Sequence, residues 1–341
     1  MRTTLETFCL APGVSGHEGN IADVFSAMLS PFCDHIDRDP LGSVIGYLKG
    51  YADTKKTIML EAHTDKIGLM VRHITEDGFL LVSPIGGFDT KILPATAVRI
   101  YGRRVLHGVI CAVPPHIAKN DAAPKMEMLC IDTGYSRASL SDAVLVGDVV
   151  EFDTSFTSLH GDMVAASAMD DRAGLAILYH CAQTLYQTSF PFNIAIVASA
   201  QEEVGLRGAY TAAYNVNPYA AVCIDVCHGQ TPDASRNTFA MGGGPVITIG
   251  PNVQRQMSDR LIAVAKAQNI AYQIDVDSGD TGTDAWAVQT TRLGVYTALL
   301  SLPLRYMHSG YEVLHLKDAT QTAALLCAWI NEIGKQGELC F

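Results

Sequence analysis

Apolar residues fall along this chain in two textures. In its first and last parts, short unbroken apolar runs alternate with stretches of helical spacing. Residues 57–62 (TIMLEA), 192–198, 220–226 and 293–300 are runs of the first kind, as expected of strands covered on both faces. Residues 3–10, 20–29, 172–184, 254–267 and 316–333 repeat their apolar positions as helices do, the last opened by Asp318 or a neighbour. Two further short strands are expected at 35–37 and 43–48. Between about 70 and 160 the texture changes. Brief β-like runs at 79–82, 98–101, 105–113, 126–131 and 148–152 alternate with turn signals, and a helix is expected only near 136–142.

These patterns predict an α/β fold: a mixed sheet with helices on both faces, interrupted by a small β-barrel-like or sandwich unit. The α/β domain takes residues 1–69 and 161–341, and the inserted β-rich domain takes 70–160.

Composition narrows the function. At 341 residues the chain has room for about two domains. With 48% hydrophobic and 17% charged residues it can bury a sizeable core. The formal charge of −11 argues against nucleic-acid partners and anionic membrane surfaces, both of which need a basic footprint. The nine cysteines are odd in number, form no CxxC and sit mostly in apolar runs, which suits reduced thiols in a cytoplasmic protein. No signal-peptide h-region and no apolar run of about 18 residues is visible, so neither secretion nor a membrane span is expected.

Five stretches place metal-type ligands at or just past an expected strand: EAHTD (61–65), MDDR (169–172), QEE (201–203), IDV (224–226) and YMH (306–308). Open α/β sheets bind ligands beyond the carboxyl ends of their strands, so residues 63, 170, 203, 225 and 308 can meet in one crevice. Two imidazoles and three carboxylates suit a pair of divalent ions such as zinc, cobalt or manganese, with one carboxylate bridging them. His63 and Asp65 are two apart, so on extended backbone Asp65 faces the same way and can fix the His63 tautomer. The pair also reads as a surface His and Asp at a strand end. Glu202 and Glu203 end a buried apolar strand with no Lys or Arg before Arg207. Adjacent residues point apart, so one can bind metal while the other serves as general base; a solvated turn is the bland alternative. Asp170 and Asp171 read equally as an acidic first helical turn. Asp225 is an acid inside an apolar strand and needs a partner. His308 reads also as a loop histidine. Order and placement together favour the joint site. GGG at 242–244 reads as a turn, SGDTGTD (278–284) as a loop bordering the site, and His17, His160 and His228 as structural or surface residues; His17 and Glu18 lie in a loop that can approach the site. No Gly-x-Ser-x-Gly elbow is present.

The residues that carry a family resemblance are now in view. APGVSGHEG, EAHTDKIGLMV, PIGGFDTKILP, AMDDRAG, QEEVGLRGA, IDVCHG, GTDAWAVQ and RYMHSGYEVLHLKD occur in that order from end to end. The chain resembles the TET/FrvX-type metallo-aminopeptidases, the glutamyl and deblocking aminopeptidases of the MH clan. The resemblance implies that His63 and Asp225 bind one metal, Glu203 and His308 the other, and Asp170 bridges them. It implies Glu202 as general base and Asp65 as the carboxylate orienting His63. It further implies a peptidase domain carrying two ions, zinc or cobalt with manganese as a third choice. The inserted unit becomes a dimerisation domain, and dimers assemble into a tetrahedral dodecamer. The expected activity is removal of N-terminal residues from oligopeptides, with Glu202 taking a proton from the attacking water. The alternatives are an endoglucanase-type glycoside hydrolase, which also uses two carboxylates, a related metallo-deacylase or carboxypeptidase, and a non-enzymatic metal-dependent scaffold. SGDT before GTDA, and Ser-Gly after His308, depart from the family pattern.

Overall fold

Every residue of Thr57–His63 is buried, because this strand lies inside a sheet with helices on both faces. Ile58, Leu60 and Ala62 face one hydrophobic cluster, and Met59 faces another. Burying an Ile or Leu side chain contributes roughly 1.5–3 kcal/mol, so a strand with two apolar faces is strongly held. The computed structural model describes residues 1–51, 56–114, 116–117, 123–232, 237–336 and 341.

The chain opens with α1 (Arg2–Leu10), α2 (Gly19–Leu29), β1 (His35–Arg38), β2 (Val44–Leu48) and β3 (Thr57–His63). It then leaves the sheet for β4 (Gly68–Ile74), β5 (Leu80–Ile85), β6 (Ala97–Tyr101), β7 (Val105–Ile110), β8 (Cys130–Asp132), α3 (Arg137–Leu140) and β9 (Val149–Phe152). After β10 (Thr157–Ser158) and β11 (Met163–Ala166) come α4 (Met169–Leu185), β12 (Asn193–Ser199), α5 (Arg207–Val216) and β13 (Ala220–His228). The last part holds β14 (Val246–Ile249), α6 (Arg255–Ala267), β15 (Gln273–Val276), α7 (Asp284–Val288), β16 (Tyr296–Arg305), β17 (Glu312–His315) and α8 (Leu316–Gln336).

The large sheet runs β1-β2-β12-β3-β13-β16-β17-β11-β10, with β14 and β15 attached through β16. Its centre, β12-β3-β13-β16, is parallel, and its flanks are antiparallel. The α/β reading therefore holds, with a mixed sheet. Residues from α1, α2, α4, α6 and α8 pack on one face. Small residues of α5 (Ala209, Ala212, Ala213) and α7 (Ala285, Ala287) pack on the other, which lets those helices approach closely.

The second unit is a closed barrel, β4-β5-β8-β7-β6-β9, around Leu69, Val71, Val82, Ile100, Ile131 and Val150. In β7 buried and exposed residues alternate strictly, the period-two signature of a strand with one face on a core. A buried ion pair fastens the barrel to the rest: Lys66 Nζ, between β3 and β4, lies 2.9 Å from Glu151 Oε2 on β9. Glu151 also accepts the Gly13 N–H at 2.8 Å. By β10 the chain has already rejoined the large sheet.

Several boundaries differ from the sequence pattern. The run at 293–300 is not all strand. Arg292 and Gly294 take positive φ values of 53° and 96°, so Leu293 sits fully exposed at a turn and β16 starts at Tyr296. It then continues through Pro303 to Arg305, because β14 pairs with it only as far as Ser301 and its pairing with β17 starts at Leu304. Pro303 occupies the gap on that side, where its missing N–H removes no ladder bond. The run at 126–131 splits into a 3₁₀ turn and β8. Helices α5 and α7 and strands β4, β10, β11, β14, β15 and β17 are elements the pattern did not give. Among the described residues no helix is long and apolar enough to cross a membrane. The eight described cysteines are all unpaired thiols; Cys340 lies outside the described residues.

Candidate metal centre and cleft

Strand register brings the first ligands together. Ser199 is level with His63 on β12 and β3, and Cys223 is level with Glu61 on β13 and β3. Asp225, two residues past Cys223, is therefore level with His63 on the same face. Asp170 arrives from the start of α4. Its φ, ψ of −78°, 105° and the −116°, 46° of Asp171 are not helical, so regular helix begins only at Arg172. That irregular start aims the Asp170 carboxylate between two imidazoles. Its Oδ1 lies 3.0 Å from His63 Nε2, and its Oδ2 lies 3.2 Å from His308 Nε2. His308 Nε2 is also 3.3 Å from Glu203 Oε2.

Two groups of potential ligand atoms result, each with its atoms within 4.8 Å of one another: His63, Asp170 and Asp225, and Asp170, Glu203 and His308. Asp170 belongs to both. All five residues put forward as ligands from the sequence are thus brought together. Glu202 lines the same cleft, and its carboxylate takes no hydrogen bond among the described residues. Asp65 is fully buried beneath His63. It accepts the Ser15 hydroxyl at 2.5 Å and the backbone N–H groups of Glu202 and Glu203 at 2.9 and 3.1 Å.

The electrostatics of this pocket are those of acids in need of cations. Burial pushes the Glu202 carboxyl up to about 10, and Asp225, Asp284 and Glu203 add to the rise against His63. Burial likewise raises Glu203, Asp225 and Asp171. Burial acts the same way on Asp170, but hydrogen bonds from His308 and His63 outweigh it and hold that carboxyl well below its usual range. Hydrogen bonds to Asp170 and Glu203 lift His308 to about 11. Buried carboxylates without positive partners are costly. No Lys or Arg is among the described residues lining the cleft. The donor set, two imidazoles and three carboxylates in two triads sharing one residue, fits a pair of borderline divalent ions.

A supporting layer lies beneath. Glu312, which the sequence reading did not single out, accepts the Asp170 N–H at 3.2 Å and the His308 N–H at 2.8 Å. Burial, with the Asp170 charge, raises it to about 8. Its signal was present: an acid opening an apolar strand, as at Asp225. Ser199 Oγ stands 2.7 Å from Glu61 Oε1 and 2.5 Å from Asp284 Oδ2. One hydroxyl hydrogen cannot serve two carboxylates, so one of these buried acids carries a proton. Glu61 was picked out with the metal-type residues, yet it faces this network and belongs to neither triad. Glu18, in the loop expected to approach the site, accepts the Gln201 N–H at 3.1 Å.

The cleft above the triads has a volume of about 730 Å³. Ser278, Thr281 and Thr283 border it, as expected for that loop, and so does His228. The glycine turn is a support for α8: Gly242 and Gly244 each donate an N–H to Asp318 at 2.8 Å.

Comparison with known proteins agrees with this geometry. Residues 42–325 match the M42 glutamyl aminopeptidase family. The lysyl aminopeptidase of Pyrococcus furiosus is 36% identical over 95% of this chain and 94% of its own. An aminopeptidase from the archaeon Desulfurococcus kamchatkensis superposes with a TM-score of 0.92 at 32% identity, over 98% of this chain and 96% of its own. The TET1 peptidase of Pyrococcus horikoshii, which can assemble into a tetrahedron or a large octahedral shell, superposes with a TM-score of 0.84 at 30% identity, over 96% and 98% of the two chains. The chain is therefore a peptide hydrolase that belongs to the M42 glutamyl aminopeptidase family.

Proposed function

We propose that the protein is a dinuclear metal-dependent aminopeptidase that removes N-terminal residues from oligopeptides. The observation that carries this reading is the position of Asp170 in both ligand triads. His63, Asp170 and Asp225 would hold one divalent ion, and Asp170, Glu203 and His308 the other; zinc, cobalt or manganese suits such donors. When bound, such ions supply Lewis-acid polarisation of a carbonyl and a more acidic water.

The chain's own residues supply the rest. Glu202 takes the proton of the attacking water and passes it to the leaving amine. Its carboxyl takes no hydrogen bond among the described residues and is raised by burial; a positive charge nearby lowers such a pKa toward the working range. Asp65 fixes the ring of His63. The carboxylate-rich cleft without Lys or Arg among its described lining attracts a free α-ammonium and repels a C-terminal carboxylate. That favours an aminopeptidase over a carboxypeptidase. The glycoside-hydrolase alternative is set aside, because the family and the relatives described above are peptidases.

The assembly of the TET1 relative supports a homo-oligomer here too; in this reading the inserted barrel pairs two subunits and dimers join into a dodecameric shell. The exposed Val105 and Val109 on the outer face of β7 are consistent with that role for the barrel.

The test is Glu202→Gln. Two metal equivalents should remain while aminoacyl-p-nitroanilide turnover falls about 10²–10⁴-fold. A fully active variant would reject the role of the base. Free and N-acetylated peptides assayed side by side separate aminopeptidase from deacylase action. Retained activity after EDTA would contradict metal dependence.

A further inference from the structure

We propose that Glu18 is a positioning residue for the catalytic turn: with Asp65 it holds three successive backbone amides and so fixes where the Glu202 side chain starts. This rests on the reading of Glu202 as base. The N–H of Gln201 donates to Glu18 Oε1 at 3.1 Å. The N–H of Glu202 donates to Asp65 Oδ1 at 2.9 Å, and that of Glu203 to Asp65 Oδ2 at 3.1 Å. Gln201 is in the left-handed region, with φ of 61°. A left-handed residue beside right-handed ones turns consecutive N–H groups toward one point and makes a concavity for anions. Here two carboxylates of the protein itself occupy it.

Glu18 is 4% exposed and also accepts the Gly16 N–H, at 2.7 Å. The loop that presents it is anchored independently. Ser15 N–H bonds to the Lys66 carbonyl at 3.2 Å, and Lys66 N–H to the Gly13 carbonyl at 3.1 Å. The buried Arg172 guanidinium donates to the carbonyls of Phe8 at 2.9 Å and of Ala11 and Gly13 at 3.4 Å. On the far side of the turn, the Glu202 carbonyl accepts the N–H groups of Gly205 and Leu206 at 2.9 and 2.8 Å. The backbone is therefore tied from both sides, while the Glu202 carboxylate is left free to move a proton. Asp65 is shared with His63, so loss of Asp65 would disturb metal binding and the turn together. Among the described residues Glu18 makes no hydrogen bond to a proposed ligand side chain, so it isolates the turn.

Glu18→Ala and Glu18→Gln test this, with metal content, melting temperature, steady-state kinetics and hydrogen–deuterium exchange of the segment 201–203 as readouts. In Glu18→Ala, kcat should fall about 10–100-fold with KM within about twofold of wild type. Metal content and melting temperature should hold, and exchange at 201–203 should quicken. Glu18→Gln keeps an acceptor oxygen for both amides and should recover most of kcat and the slow exchange. An Ala variant with wild-type kcat and exchange overturns the proposal. So does a kcat loss that only follows metal loss or global destabilisation, or a Gln variant as impaired as Ala. Should the Ala variant not fold, Glu18→Asp, one methylene shorter, takes its place against Glu18→Gln. Glu202→Gln run alongside separates the two failures. If it stays active, the base assignment falls; if it is inactive while Glu18→Ala is unimpaired, only the positioning role falls.

Discussion

The backbone N–H of Glu202 donates to Asp65 Oδ1 at 2.9 Å, and the Nδ1 of His63 stands 3.5 Å from that same oxygen and 3.2 Å from the Asp65 backbone carbonyl. One buried residue thus meets a proposed metal ligand and the turn that carries the proposed base. Burial alone would raise the Asp65 carboxyl, but His63, the Ser15 hydroxyl and the Glu202 amide outweigh it and hold it below its usual value. Asp65→Asn replaces one acceptor oxygen with an NH₂ that must face one of these donors. Metal affinity and kcat should each fall about 10–100-fold, as for other carboxylates that orient a metal-binding imidazole. Isothermal titration with zinc and steady-state kinetics would measure both; a change in only one would show that the two roles are separable.

The shared position of Asp170 makes a prediction about stoichiometry. His308→Ala removes a donor from one triad only, and His63→Ala from the other. Each should retain about one metal equivalent after dialysis. Asp170→Asn weakens both triads and should retain little of either. Elemental analysis of the three purified variants decides it. Two equivalents in His308→Ala, or one in Asp170→Asn, would contradict the sharing.

Much of this was legible because burial on both faces leaves an unbroken apolar run. TIML, IAIV and AAVCI became β3, β12 and β13, and an acid inside or just after such a run stood out. Strand β15 was illegible for the opposite reason: no residue of QIDV is fully buried, and its apolar Ile274 and Val276 are the exposed ones. The ligand side chains could be named, since metal binding restricts residue type. Glu18 and Glu312 could not be given roles. They act on backbone N–H groups, which every residue but proline carries. Which amides need an acceptor is fixed only once Gln201 is left-handed and α4 starts irregularly at Asp170.

The Lys66–Glu151 pair predicts a pH dependence of stability. Burial would raise the Glu151 carboxyl, but Lys66, the Gly13 amide and Arg172 hold it below 4.5. A depressed carboxyl contributes stability above its unfolded pKa and loses it as pH falls through the folded one. Glu151→Gln leaves Lys66 buried without its counter-ion and should cost about 3–5 kcal/mol at pH 7. The gap between the two proteins should close as pH falls below 4.5. Urea midpoints across that range measure it; a gap independent of pH would mean that the charge of Glu151 is immaterial.

The cleft wall predicts substrate preference. Asp275 and Asp277 line it together with His228, and no Lys or Arg accompanies them among the described residues. Asp275 is raised by burial and then by the neighbouring Asp277, so the two acids share one region of low screening. From Asp225 to Cys227 the chain advances two residues along β13, about 6.6 Å. Burial raises the Cys227 thiol, and the Asp275 charge adds to it. Asp275 lines the same cleft as the proposed metal ligands, so a long cationic side chain on the N-terminal residue is expected to meet it there. An acidic side chain would meet like charge, which costs several kcal/mol when desolvated. Lysyl and arginyl p-nitroanilides should exceed the glutamyl substrate in kcat/KM by about tenfold or more. Because Asp275 must be ionised, the preference should strengthen as pH rises through its raised pKa, and weaken with salt. Asp275→Asn should narrow the ratio chiefly through the KM of the basic substrates, with kcat for a leucyl substrate unchanged. A wild-type preference for glutamyl substrate would contradict this account of the wall.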